Sequence, residues 1–137
     1  MSGELADGAA ARAIDASTGR TTITPLSTFV ALLTAAPNPT DLMEDLAEVA
    51  PPGTLGYARQ QAVWSAPTGS PPTTHNVDEI SFGPFSDDLA PVTHCALVTT
   101  QVANAGLLLF YWVLDDARDP AIGDTITFSS GSLTIHR

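Results

Sequence analysis

The longest apolar run in the sequence is Leu107-Leu-Leu-Phe-Tyr-Trp-Val-Leu114, which is eight residues long. A helix needs about 20 apolar residues to cross a bilayer, so this run is too short for a membrane span. We predict instead a buried strand over residues 106–114, because short apolar runs bounded by turn residues are typical of strands. Alternation along that strand sends Phe110 and Trp112 to one face and Tyr111 to the other.

Short strands separated by proline and glycine turns fill the last two thirds of the chain. We predict them over residues 57–66, 76–82, 92–100, 106–114, 124–128 and 132–136. Several closely spaced short strands indicate an antiparallel β-sandwich or a barrel-like fold. The last two are predicted to form a hairpin, in which Ile126 and Phe128 meet Leu133 and Ile135 across the turn at 129–132.

The first third of the chain predicts two short helices and one strand. Residues 4–16 are alanine-rich and end near Gly19, which favours an N-terminal helix. Residues 26–35 indicate a strand, with a helix as the rival reading. Residues 41–50 have an apolar face and an acidic face, which predicts a short helical insertion. The predicted organisation is an N-terminal arm over 1–24 and a mainly β domain over 25–137.

The net charge of the chain restricts which molecules it is expected to bind. Fifteen acidic residues face five arginines, there is no lysine, and the formal net charge is −10. Nucleic-acid binding requires a basic patch, so direct contact with DNA or RNA is not expected. The acidic surface favours solubility or attraction to a basic protein surface.

Neither the single cysteine nor the N-terminus points to export. Cys95 cannot form an internal disulfide, and residues 1–16 lack the basic start and apolar stretch of a signal peptide. We therefore expect synthesis in the cytoplasm and no membrane association.

Sequence signatures of catalysis are absent. There is no G-x-S-x-G or G-x-G-x-x-G motif, and a P-loop requires a lysine. His94 and Cys95 are adjacent on a predicted strand, so their side chains should point to opposite faces, and Cys95 is predicted to lie in the core. Asp87-Asp88 and Asp115-Asp116 are read as solvated turn aspartates, with a calcium contact as the alternative. No catalytic residue, cofactor or metal ligand is predicted.

The order of several short motifs resembles a family of small actinobacteriophage virion proteins, labelled tail fibre, minor tail or head-associated proteins. The motifs are Phe29-Val-Ala-Leu-Leu-Thr-Ala-Ala-Pro37, Gly56-Tyr-Ala-Arg-Gln60, Phe82-Gly-Pro84, Val92-Thr-His94 and Gly123-Asp-Thr-Ile-Thr-Phe-Ser-Ser-Gly-Ser-Leu-Thr-Ile135. The resemblance implies a β-sandwich virion component without an active site.

Two locations in a virion fit this resemblance. The leading expectation is a capsid decoration or cement protein, because the chain is short and shows no repetitive shaft. The alternative is a tail-tip or tail-fibre subunit that binds host glycan through exposed aromatics or the 67–74 loop. In either case the expected partners are other virion proteins, either major capsid or tail proteins, and further copies of the chain. The residues expected at such interfaces are Leu5, Arg12, Arg20, Leu42, Met43, Leu46, Tyr57 and Tyr111.

Overall fold

A computed structural model describes residues 4–20, 26–38, 46–103 and 105–136. It contains one helix and nine strands within those residues. In chain order they are β1 (Glu4–Leu5), α1 (Asp7–Ser17), β2 (Thr28–Leu33), β3 (Gln60–Ala62), β4 (Thr73–His75), β5 (Ile80–Phe82), β6 (Val92–Val98), β7 (Leu108–Arg118), β8 (Ile126–Phe128) and β9 (Thr134–His136). The predicted mainly β class and the predicted N-terminal helix are both confirmed.

The strands form one large sheet and two small ones. The large sheet has the order β1-β7-β6-β2-β3, and β4 pairs with β9 and β5 with β8. Every pairing between named strands is antiparallel. Side chains from the small sheets pack with one face of the large sheet, which gives a sandwich-like arrangement with no closed barrel among the described residues.

The main core lies between these layers and follows strand alternation. Leu32, Cys95 and Trp112 are all fully buried on the same face of the large sheet. The Trp112 ring stacks on Trp64, with ring centroids 6.0 Å apart. Its indole N–H donates to the Thr134 carbonyl at 2.9 Å, so this large aromatic is satisfied at both its apolar and its polar end.

A smaller apolar cluster occupies the opposite face of the large sheet. Its buried members are Ala6, Leu33, Ala96, Val98 and Leu108. Tyr111 packs partly buried against this cluster, whereas Phe110 packs against the main core. The predicted division of Phe110, Tyr111 and Trp112 between the two faces of β7 is therefore confirmed.

The predicted hairpin between the last two strands is wrong. β8 pairs with β5, and β9 pairs with β4. The buried Asn76 side chain separates the two strands: its amide donates to the Ser129 carbonyl at 3.0 Å, and its Oδ1 accepts the Leu133 N–H at 2.9 Å. These bonds occupy backbone groups on both sides of the turn and direct each strand to a different partner.

The predicted helix over residues 41–50 is also wrong for the part that the structure describes. Residues 46–50 are not helical, and Glu48 forms an antiparallel bridge with Leu33 of β2. The Val49 N–H donates to the Leu32 carbonyl at 3.0 Å, so this segment runs beside the sheet. Residues 41–45, and the predicted domain boundary at 24, lie outside the described residues.

Candidate functional site

Glu48, Tyr57 and Arg59 form a charged cluster in the interior of the described part of the chain. The Arg59 side chain is fully buried and donates to both oxygens of the Glu48 carboxylate. It also donates to the carbonyls of Thr100 and Val102, each at 2.9 Å. The cluster therefore ties the segment before Tyr57 to the loop that follows β6.

Tyr57 completes the charged cluster. Its hydroxyl donates to Glu48 Oε2 at 2.7 Å and accepts the Leu32 N–H at 3.1 Å. Burial, reinforced by the negative charge of Glu48, raises the pKa of Tyr57 above its ordinary value. With 1% of its surface exposed, Tyr57 presents no area to another subunit, so the structure removes it from the predicted interface residues.

Two of the motifs that carry the family resemblance meet in space. Gly56 has φ of +75°, and a Cβ there would lie 2.3 Å from the Pro84 carbonyl oxygen. The Ser86 N–H donates to the Leu55 carbonyl at 2.9 Å across the same contact. The motifs at 56–60 and 82–84 therefore hold two loops together and form no open site.

The His94-Cys95 pair does not form a catalytic dyad. Cys95 is fully buried in the main core, as predicted, and burial raises the pKa of its thiol. His94 lies half-buried, and its Nδ1 is 2.7 Å from the hydroxyl of Thr93. Among the described residues, no group of three or more histidine, cysteine, aspartate or glutamate side chains is arranged to hold a metal ion.

The aromatic side chains do not form an exposed platform. Tyr57, Phe82, Phe85, Trp112 and Phe128 are buried. Trp64, Phe110 and Tyr111 are half-buried. The interpretation of these residues as core packing fits their burial, and a glycan surface built from exposed aromatics does not.

The remaining interface predictions fall on different parts of the surface. Leu5 is 46% exposed, and Arg20 forms an exposed ion pair with Asp15 at 3.1 Å. Arg12 is half-buried on α1. Leu46 and Tyr111 are half-buried and pack against the smaller apolar cluster. Leu42 and Met43 lie outside the described residues.

The sequence reasoning missed a polar cleft of about 250 Å³ between the end of β7 and the β8–β9 turn. The polar residues that line it are Asp115, Asp116, Arg118, Thr127, Ser129 and Ser132. The two aspartates were predicted to lie in a turn, but they belong to strand β7. The available signal is the charged sequence after Leu114, which the interpretation as solvated turn aspartates leaves outside any strand.

The pairing of β7 with β6 explains the cleft. His94 of β6 pairs with Val113 of β7, and the next pair is Val92 with Arg118. Between these two pairs β7 therefore contains three residues more than β6. A bulge of this kind bends the strand and redirects its side chains. Regular alternation after the buried Leu114 would turn one of the two following aspartates inward, but both are exposed.

Comparison with known proteins identifies the family but no individual relative. No curated protein matches the sequence. Within the described part of the chain, no helix combines the length and apolarity required to span a bilayer. A family model described as "Podophage GP4 fiber I protein gp80" matches residues 4–136, which is nearly the entire chain. The chain therefore belongs to this family of structural phage fibre proteins and is a virion component.

Proposed function

We propose that the chain is a non-enzymatic subunit of a phage tail fibre whose N-terminal segment, residues 4–20, contacts other virion proteins, including further copies of itself. The observation that carries the fibre assignment is the family description, which names a fiber protein. It favours the tail-fibre alternative over capsid decoration, which is the leading expectation from the sequence.

The packing of α1 supports a contact role for the N-terminal segment. Ala6, just before the helix, is 1% exposed, and β1 extends the large sheet beside β7. Helix α1 itself has no buried residue and approaches β7 through Gly8, where a Cβ would be 3.7 Å from the Leu108 carbonyl oxygen. An isolated helix of this length is marginal in water, so additional packing on its outer face would stabilise it.

Apolar side chains are exposed around this helix. Ile14 is 62% exposed on α1, and Leu5 on β1 is 46% exposed. Leu107, which contacts the Gly8 position, is 43% exposed. Single exposed apolar residues are common, and seven other large ones lie elsewhere on the described surface. The contact role of the segment therefore rests on these side chains together with the thin packing of α1.

The charge distribution is compatible with self-association through this segment. Residues 4–20 carry two of the five arginines of this strongly acidic chain, together with three acidic residues. Arg20 is paired with Asp15 in its own chain, whereas Arg12 on α1 has no ion pair with another described residue. Opposite charges on facing surfaces steer association and fix its orientation. Arg12 of one copy is therefore the positive charge that an acidic side chain of the next copy would meet.

The test compares Ile14→Glu with Ile122→Glu, since Ile122 is equally exposed, at 67%, but lies in the loop after β7. Sedimentation velocity over a range of concentrations should show association of the wild type and of Ile122→Glu, and a shift of Ile14→Glu toward monomer. Circular dichroism verifies that both variants are folded. A monomeric wild type, or identical behaviour of the two variants, contradicts the helix contact.

The location in the particle is tested separately. A gold-labelled antibody against the chain should mark a few positions at the tail of intact particles. Regular labelling over the capsid shell would overturn the fibre assignment and restore capsid decoration.

A further inference from the structure

We propose that the polar cleft binds one neutral, polyhydroxylated sugar ring. The cleft is distinct from the α1 surface and is not used by the proposed subunit contact. That such a sugar belongs to a host-cell surface rests on the proposed fibre function, whereas the binding itself does not.

The cleft offers both kinds of hydrogen-bonding group in one place. The carboxylates of Asp115 and Asp116 accept, and the guanidinium of Arg118 donates. Thr127 and Ser129 carry hydroxyls that can do both, and the Thr127 hydroxyl already lies 3.2 Å from the hydroxyl of Ser81. A sugar ring also presents each hydroxyl as a donor and an acceptor, so a mixed lining fits it better than a lining of one kind. Bonds that involve a charged partner are the stronger ones.

Apolar surface accompanies these polar groups. Phe128 and Leu114 line the same cleft, although each is almost entirely buried. Ligand sites typically combine an apolar wall with a few polar groups that fix orientation. The C–H groups of a sugar ring supply the matching apolar surface.

The volume and the net charge of the cleft limit the class of ligand that it can bind. Pockets for drug-sized ligands have volumes of about 300–1,000 Å³. A cleft of about 250 Å³ is smaller and suits a single ring. Two carboxylates against one guanidinium leave a net negative charge, which disfavours sugar acids.

A divalent cation is a weaker candidate for this cleft. Among the described residues, no group of three or more potential ligands is arranged for a metal ion, and the cleft holds two carboxylates. Calcium prefers six to eight oxygen ligands, so two carboxylates beside an arginine supply an unfavourable site.

Arg118 and Asp116 provide the decisive variants. Arg118 has no ion pair with another described residue, so its guanidinium is available to a ligand. Asp116→Asn and Arg118→Gln remove one charged hydrogen-bonding group each while retaining much of the side-chain shape. Asp119→Asn is the matched control, because Asp119 is an exposed aspartate in the same stretch that does not line the cleft.

The experiment is a titration of the 15N-labelled chain with glucose, galactose, mannose and N-acetylglucosamine, followed by amide chemical shifts. Glucuronic acid and calcium chloride are titrated separately. At least one neutral sugar should shift amides of residues 115–118 and 127–129 in a saturable manner. Asp116→Asn and Arg118→Gln should each weaken the affinity about tenfold. Asp119→Asn should leave it within about twofold, as expected of a residue without ligand contact.

Three outcomes overturn the proposal. They are the absence of cleft shifts with all four neutral sugars, shifts caused only by calcium or glucuronic acid, and sugar binding that Asp116→Asn and Arg118→Gln leave unchanged. The labelling of intact particles tests the fibre assignment independently, so failure of sugar binding and failure of the fibre assignment can be told apart. Sugar binding by a chain found on the capsid shell would support the cleft and refute the fibre.

Discussion

Replacing Arg59 with methionine tests how much the buried charged cluster contributes to the stability of the fold. Methionine keeps a long apolar side chain but removes the donors to the Glu48 carboxylate and to the Thr100 and Val102 carbonyls. The Glu48 side chain is only 10% exposed, so its charge would remain in the interior without its countercharge. Removing one partner of a buried ion pair costs about 3–5 kcal/mol. Domains of this kind have a total unfolding free energy of about 5–15 kcal/mol, so the loss should be large.

Urea unfolding followed by tryptophan fluorescence measures this loss. Small domains show a slope of about 1–3 kcal/mol per molar urea, so a cost of about 4 kcal/mol should lower the midpoint by about 2 M. Arg20→Met is the matched control, because Arg20 pairs with Asp15 at the surface, where its side chain is 74% exposed. Exposed pairs contribute about 0–1 kcal/mol, so this midpoint should move little.

The Glu48→Met and Arg59→Met double variant separates the ion pair from simple packing. Replacement of both charges leaves no uncompensated charge, so the double variant should be more stable than the sum of the single effects predicts, by about 0.5–3 kcal/mol. The reasoning is refuted if Arg59→Met costs no more than Arg20→Met, or if the two single effects are simply additive.

Two further predictions concern backbone conformation and pH. Gly56→Ala should lower the urea midpoint more than Gly123→Ala, because both glycines have positive φ but only Gly56 lies against the Pro84 backbone; equal midpoints would argue against that contact. Burial raises the pKa of the Cys95 thiol and of the Tyr57 hydroxyl above their ordinary values of 9.0 and 10.0. Above its ordinary pKa each group loses its proton in the unfolded chain but keeps it in the folded chain. The free energy of unfolding is therefore unaffected below the ordinary pKa and decreases as the pH rises above it. The midpoint should therefore fall from about pH 9 upward, and Cys95→Ala should delay the fall to about pH 10; a constant midpoint up to pH 11 contradicts this.

Local pattern predicted the strands better than their partners. The alternation of Phe110, Tyr111 and Trp112 depends only on their order in the sequence, and it correctly predicts which face of β7 each side chain occupies. The pairing of β8 and β9 depends on Asn76, which is more than 50 residues away from the turn it organises. A short apolar strand followed by a turn carries no information about such a distant side chain.

The segment around Glu48 shows a second limit of sequence patterns. Apolar residues at helical spacing beside acidic ones predict an amphipathic helix with its charges in water. Glu48 instead lies inside, because Arg59 supplies the countercharge and Tyr57 an additional hydrogen bond. The distant arginine determines whether this glutamate faces water or the core, and the local spacing does not.

The candidate site could be predicted only in part for the same reason. Asp115 and Asp116 were noticed as an acidic pair, but their exposure results from the irregular pairing of β7 with β6. The other wall of the cleft comes from residues in and just after β8, among them Thr127 and Ser129, and β8 pairs with β5, which is distant in the sequence. Neither the bulge nor that pairing has a local sequence signal comparable to strand alternation.

The two proposed contacts are separated by the length of one strand, which makes them compatible. Helix α1 approaches β7 at Leu108, which is the first residue of the strand, whereas the cleft begins at Leu114. A strand rises about 3.3 Å per residue, so Asp116 lies up to about 26 Å from Leu108 along β7. A subunit that packs on the outer face of α1 therefore leaves the far end of the same strand open. In a fibre, repeated copies joined through α1 would present repeated clefts, and several weak sugar contacts would then add up to firm attachment.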